Sequence, residues 1–225
     1  MTLAVAIKAV DAIVVAADSR GTIGDPRGLT AVNDTQRKLF QFGNCGLAIA
    51  GASEMALAII DEFGRQGLNQ PQDVDAAVAA FAQAAIWSDN WYRGIPTAQR
   101  PGALFILGGY RTVGGQSVPL VFLLNSNTAF APQLANAYPM MAGVPQYAVY
   151  LSHRYYDPSM SGDNAAALAE YVISETASQD PKVGGPVKIA KVTPQGYQEL
   201  TDAQVKALQR RNQTLNKKLK TFFTK

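Results

Sequence analysis

Residues 1–21 of the chain read MTLAVAIKAVDAIVVAADSRG and contain two apolar segments from which the fold can be inferred. The segments Leu3–Ile7 and Ala12–Ala17 are almost entirely apolar and are separated by a tight turn at Lys8–Asp11. Short runs of Val, Ile and Ala predict strands that are buried on both faces. A strand this close to the first residue places the start of the chain inside a folded core, where it cannot fray. Such a start is unusual, and the chemistry of Thr2 offers a reason for it.

Thr2 is a candidate nucleophile. Removal of Met1, which the small Thr side chain favours, would leave a hydroxyl and a free α-amine on the same residue. An α-amine has a reference pKa of about 7.7–8, so it can act as a base near neutral pH. A Thr hydroxyl is a weak nucleophile by itself, and an N-terminal amine is one recognised way of activating it.

Three further segments follow Thr2: AADSR at 16–20, KLFQ at 38–41 and IAG at 49–51. In this order and at these separations they resemble the proteasome β-subunit family of N-terminal nucleophile hydrolases. That family includes the bacterial peptidase that works beneath an unfoldase ring and the stand-alone bacterial proteasome homologues. The resemblance covers residues 2–200 and is most specific in the first half of the chain.

The resemblance implies a catalytic role for five positions. It assigns the nucleophile to Thr2, a buried carboxylate to Asp18 and the lysine that steers the proton to Lys38. The backbone N–H of Gly51 would hold the oxyanion, and Asp180 matches an acidic residue of a second motif. From the residues themselves, Lys38 begins an apolar strand, where an unpaired ammonium is costly to bury, so Asp18 is its expected partner. A purely structural Asp18–Lys38 ion pair is the alternative interpretation.

Three more positions match the family's substrate site. Thr22 and Ser53 match residues whose backbone aligns the substrate strand, and Ser53 also has the character of a helix N-cap. Ile49 matches a floor residue of the main specificity pocket, which implies a preference for apolar or small side chains.

The second half of the chain departs from the family pattern at two positions. Family members carry a Gly-Ser-Gly turn whose Ser assists the nucleophile, and here Ala142 stands in its place. A second motif, Asp followed by Ser and Gly-Gly, matches Asp180 and the pair 184–185, but Val183 replaces the Ser. Neither Ala nor Val forms side-chain hydrogen bonds. We therefore expect proton transfer through this arm to be impaired, or carried by water or another side chain.

The function implied is a threonine-type peptidase subunit of a self-compartmentalising barrel, acting on peptides or unfolded proteins. The resemblance implies stacked rings, heptameric in preference to hexameric, with an unfoldase ATPase as a candidate partner. Two alternatives remain open. The chain could be a weakly active or inactive ring scaffold, or an N-terminal nucleophile amidase that acts on small amides.

The predicted order of elements is strand pairs, two helices, strand pairs, two helices and a final strand pair. Two facing sheets with helices outside each would bury every apolar face. This order and the resemblance predict the α+β class and a four-layer αββα sandwich. We assign residues 1–201 to one proteasome-like domain and residues 202–225 to a basic C-terminal helical extension. The loop-like composition of Gly21–Asp34 predicts an irregular connection.

Charge and composition narrow the remaining classes of function. The chain has 225 residues and a net charge of +3, but residues 202–225 alone carry +6, so the rest carries −3. A nucleic-acid partner is therefore not expected. No apolar run reaches the roughly 18 residues of a membrane span, no secretory signal is evident, and no cluster has metal-ligand spacing. We expect no membrane, metal or cofactor, and the single Cys45 fits a core position in a reducing cytoplasm.

The C-terminal extension carries an apolar seam. Apolar residues and one Asn recur three and four apart, at Val205, Leu208, Asn212, Leu215, Leu219 and Phe222. Such spacing, flanked by Lys and Arg, is typical of a helix with one apolar face. It indicates either a solvated surface helix or a helix that lies against a neighbouring subunit.

Overall fold

The computed structural model describes residues 2–24, 30–136, 139–143 and 146–224, and within these ranges the chain forms twelve strands and five α-helices. The strands are β1 (Leu3–Lys8), β2 (Ile13–Ala17), β3 (Gly21–Gly24), β4 (Thr30–Asn33), β5 (Leu39–Phe42), β6 (Cys45–Gly51), β7 (Ala103–Val113), β8 (Gln116–Asn125), β9 (Gln133–Leu134), β10 (Met140–Gly143), β11 (Lys188–Thr193) and β12 (Gly196–Glu199). The helices are α1 (Ser53–Arg65), α2 (Val74–Trp91), α3 (Gln146–Tyr155), α4 (Gly162–Gln179) and α5 (Asp202–Phe223).

Two five-stranded antiparallel sheets form the centre of the molecule. The first has the strand order β10-β1-β2-β11-β12 and the second has the order β5-β6-β7-β8-β9. Helices α3 and α4 cover the outer face of the first sheet, and α1 and α2 cover the outer face of the second. Apolar side chains fill all three interfaces between these layers. The predicted αββα sandwich is therefore confirmed.

The two sheets approach closely at two points where the facing residue is a glycine. A Cβ atom on Gly108 would lie 2.9 Å from Ile13 Cγ2, and one on Gly46 would lie 3.0 Å from Val192 Cγ2. The helix-covered side of the second sheet is filled differently, by aromatic rings that pack edge to face, such as Phe63, Phe81 and Phe105. Cys45 is fully buried on that side, which confirms it as a core residue.

Two local predictions were wrong. The segment Gly21–Asp34 contains the hairpin β3–β4, with Gly21 opposite Asn33, although its residues 25–29 lie outside the described ranges. Its apolar residues Ile23 and Val32 are exposed, so the hairpin lacks the alternating buried face from which strands are predicted. Ser53 does not cap α1, because Ala52 holds the N-cap position and no side chain caps it.

Helix α5 begins with a capping box between Thr201 and Gln204, and its first half packs on α4. Val205 is buried there, and the Asn212 side chain donates to the Ala167 carbonyl at 3.0 Å and to the Glu170 carboxylate. In the second half of the helix the apolar seam is exposed to solvent. The exposed fractions range from 40 to 79% for Leu215, Leu219, Phe222 and Phe223.

No helix among the described residues combines the length and the hydropathy that crossing a bilayer requires. Nor do three or more of their His, Cys, Asp and Glu side chains converge where a metal ion could be held.

Candidate active site

Asp18 and Lys38 form a buried ion pair between the two sheets. Asp18 follows the last residue of β2 and is fully buried, while Lys38 immediately precedes β5 and is 2% exposed. The ammonium Nζ lies 2.9 Å from Asp18 Oδ1 and also donates to the carbonyl of Arg20. Burial lowers the pKa of Lys38, and the Asp18 carboxylate opposes this shift. The expected pairing is confirmed.

The Asp18 carboxylate accepts four hydrogen bonds, two on each oxygen. Oδ1 receives the Lys38 ammonium and the backbone N–H of Leu3 at 3.1 Å. Oδ2 receives the backbone N–H groups of Arg20 at 3.2 Å and Gly184 at 3.0 Å. Four donors on two oxygens fix the orientation of the carboxylate.

Thr2 is held between Asp18 and β10. Leu3 N–H and the Lys38 ammonium bind the same oxygen, so the Thr2–Leu3 peptide and the ammonium lie side by side. On the other side, a Cβ atom on Gly143 would lie 1.6 Å from the Thr2 carbonyl oxygen. Gly143 has φ +103°, so both its backbone conformation and the space around it require glycine. Thr2 itself is 5% exposed.

Gly51 ends β6 on the side of Lys38. Two residues earlier, the Ile49 N–H donates to the Lys38 carbonyl at 2.9 Å. Gly51 has φ +82°, and a Cβ atom there would lie 2.3 Å from the Gly102 carbonyl oxygen. The glycine therefore allows the chain to turn from β6 into α1 close against Gly102.

The other four predicted site residues lie in, or next to, four different elements of the fold. Asp180 is the C-cap residue that follows α4, and its carboxylate accepts the N–H of Lys182 at 2.8 Å within its own turn. Thr22 lies in β3, where its hydroxyl oxygen is buried and has no hydrogen-bond partner among the described residues. Ser53 is partly buried at the start of α1. Ile49 is 1% exposed in the core between the second sheet and its helices.

Both replacements of the family's Ser residues have apolar surroundings. Ala142 is 4% exposed in β10, opposite Ala4 of β1, and belongs to the interface between the sheets. Val183 is fully buried among the side chains that join the first sheet to its helices. Neither position supplies a polar side chain near Thr2.

Sequence reasoning missed the residues that hold Asp18. The N–H of Gly184 comes from a segment 166 residues further along, and no spacing rule connects the two. The side chain of Arg20 forms a bidentate pair with Asp34 at 2.7 and 2.8 Å. The Gly-Gly pair 184–185 was a signal of close backbone approach, but nothing in the sequence marked Asp34.

Comparison with known proteins places the fold. No family model matches the chain. The proteasome subunit beta 1 of Thermococcus kodakarensis is 23% identical over 209 residues, which are 92% of this chain and 96% of that protein.

Solved structures of Anbu, the ancestral β-subunit, superpose over nearly the whole chain. Anbu from Yersinia bercovieri matches with a TM-score of 0.77 and 16% identity, covering 99% of this chain and 97% of that one. The helical assembly of the Anbu complex from Pseudomonas aeruginosa matches with a TM-score of 0.72 and 20% identity, covering 97% and 96%. The resemblance read from the motifs is thus confirmed, and the chain has the proteasome β-subunit fold in the form found in the Anbu proteins.

Proposed function

We propose that the chain is a threonine-type peptidase subunit of a self-assembling complex, with Thr2 as its N-terminal nucleophile. The observation that carries this proposal is the buried Asp18–Lys38 pair, fixed beside the Thr2–Leu3 peptide. A buried ion pair is weak evidence for stability, because apolar residues of similar volume often serve as well. Its position beside a residue that can become an N-terminal nucleophile supports a catalytic use.

The mechanism begins once Met1 has been removed. As Thr2 Oγ bonds to the substrate carbonyl carbon, the α-amine accepts the hydroxyl proton. The Lys38 ammonium stabilises the negative charge that develops on the attacking oxygen, and the Gly51 N–H stabilises the oxyanion. The α-ammonium then protonates the leaving nitrogen as the C–N bond breaks, which leaves an ester on Thr2. Water attacks this ester, releases the acid and restores the hydroxyl.

We expect slow or highly selective hydrolysis of short peptides. Ala142 lacks the hydroxyl of the family's Ser, so one hydrogen-bonded route for proton transfer is absent. A positioned acid–base group contributes about 10²–10⁴ in rate, and a relay should contribute less. Ala142→Ser should therefore raise kcat by roughly tenfold in a broad peptide library, whereas Thr2→Ala should be inactive.

Ala4→Ser is the matched control, since Ala4 lies opposite Ala142 in the same buried interface. It adds an equal hydroxyl without placing it in the family's Ser position. Equal rates for the two Ser variants would count against a relay at residue 142. An unsubstituted chain that hydrolyses no peptide but cleaves small acylated amines would instead support the amidase.

Self-association is the second part of the proposal. It is supported by the Pseudomonas Anbu, which was solved as a helical assembly, and by the open apolar seam on the second half of α5. For this chain we propose stacked rings, heptameric in preference to hexameric, with an unfoldase ATPase as a partner and the cytoplasm as the location. The inactive scaffold remains the second candidate, favoured by Ala142 and Val183.

The seam predicts an effect on assembly. Leu219→Gln combined with Phe222→Gln removes two exposed apolar side chains from α5 and should lower the assembled mass in size-exclusion light scattering. Lys217→Gln combined with Thr221→Gln is the control on the exposed polar side of the same half, and we expect it to leave the mass unchanged. If both variants keep the parental mass, the second half of α5 is a solvated surface.

A further inference from the structure

Two segments distant in sequence meet at the Asp18 carboxylate, and the proposed mechanism does not explain how they are held. Oδ2 accepts the N–H groups of Arg20 and Gly184, and Gly184 belongs to the loop 180–186. Ser19 N–H also donates to the Gly184 carbonyl at 3.0 Å. One of the four hydrogen bonds that orient Asp18 therefore depends on how this loop is fixed.

The Arg20 guanidinium lies directly over the loop. A Cβ atom on Gly184 would be 2.6 Å from Arg20 Cζ, so a side chain there would displace the guanidinium from this position. From this position, Arg20 Nη1 donates to the Pro181 carbonyl at 3.0 Å. One side chain thus covers the loop whose N–H group binds Asp18.

Asp34 holds that guanidinium with both carboxylate oxygens. They accept Arg20 Nε at 2.7 Å and Nη2 at 2.8 Å, a fork geometry that fixes the plane of the guanidinium. The backbone of Asp34 contacts the same loop, since a Cβ atom on Gly185 would be 2.8 Å from its carbonyl oxygen. The two side chains are 23% and 42% exposed, so solvent screens their attraction and orientation is the larger effect of the pair.

We propose that Asp34 is a positioning residue for the active site: through Arg20 it fixes the loop 180–186 and so orients Asp18 toward Lys38. This inference rests on the proposed function. Asp34 acts through Arg20, and no direct contact of its side chain with Thr2 or a substrate is invoked. The chain uses the hairpin β3–β4, which ends beside Asp34, to support a carboxylate in a different sheet.

The test measures how fast an electrophile directed at N-terminal Thr labels the full-length chain, as a function of pH. Asp34→Asn keeps the shape of the side chain and removes its charge. We expect roughly tenfold slower labelling, because small displacements of reacting groups cost that much or more. A less well-oriented Asp18 also stabilises the Lys38 ammonium less, so the alkaline limb of the profile should move to lower pH. Asp34→Glu, which restores the carboxylate, should recover part of the rate.

Asp75→Asn is the matched control. Asp75 forms a similarly exposed bidentate pair with Arg111, on α2 and β7, outside the proposed site. It should leave the labelling rate and its pH profile unchanged. In parallel, amide hydrogen exchange should accelerate in the segment 182–187 for Asp34→Asn and not for Asp75→Asn.

The outcomes distinguish a failure of the positioning role of Asp34 from a failure of the proposed function. If the unsubstituted chain is labelled and Asp34→Asn matches its rate and pH profile, the positioning role is wrong and the proposed function stands. Slower labelling without faster exchange in 182–187 also overturns the role of Asp34, because the loop is then not the route. If the unsubstituted chain is not labelled, the proposed function fails, and the positioning role fails with it.

Discussion

Replacing Lys38 with Met is expected to abolish peptide hydrolysis and to lower the free energy of unfolding by about 3–5 kcal/mol. Met has a similar length and no charge, so the substitution leaves the Asp18 carboxylate buried without its cation. Activity and stability should be lost together, because the contact between Lys38 and Asp18 contributes to both. Urea unfolding and peptide turnover on the same preparation measure the two losses.

The double variant Lys38→Met with Asp18→Asn separates these effects. With both charges removed, the desolvation penalty of Asp18 disappears, and part of the lost stability should return. Activity should remain absent, because the ammonium is still missing. Full activity in the single Lys38→Met variant would contradict the proposed role of Lys38 and leave the ion pair as a structural feature.

Replacing Gly143 with Ala is expected to displace Thr2 and to cost more than about 2 kcal/mol of stability. The added Cβ would lie 1.6 Å from the Thr2 carbonyl oxygen, at a backbone φ of +103° that Ala rarely adopts. Either β10 or the start of β1 must move, so labelling of Thr2 should be lost as well. Urea unfolding and the labelling rate provide the measurements.

Gly67→Ala is the matched control for backbone strain. Gly67 has φ +69°, but a Cβ atom there meets nothing within 4 Å. Its substitution should cost only the roughly 1–2 kcal/mol of a left-handed non-glycine residue and leave labelling intact. If Gly143→Ala is no worse than Gly67→Ala, the contact between Gly143 and Thr2 does not hold the nucleophile.

The sequence predicted those features that depend on the polarity of neighbouring residues. The apolar segments at the start of the chain form β1 and β2, because short runs rich in Val and Ile favour strands that are buried on both faces. The Asp18–Lys38 contact followed from the cost of burying an unpaired ammonium. The hairpin β3–β4 was missed because its apolar residues Ile23 and Val32 face solvent.

Contacts between distant segments were beyond sequence reasoning. Gly184 binds Asp18 across 166 residues, and the Arg20–Asp34 pair forms only because the hairpin places the two residues together. The heptad-like spacing predicted helix α5 but not its partner. A hydrogen bond from Asn212 to the buried Glu170 of α4 holds the first half of that helix against the same chain.

Mass spectrometry of the intact chain from its native host shows whether Thr2 is an N-terminal nucleophile. The protein is incubated with an electrophile that requires both the hydroxyl and the free amine of an N-terminal Thr. We expect a chain that lacks Met1 and gains one adduct, which peptide mapping places on Thr2 and which Thr2→Ala does not form. Complete retention of Met1, or an unmodified chain that begins at Thr2, would contradict that role of Thr2.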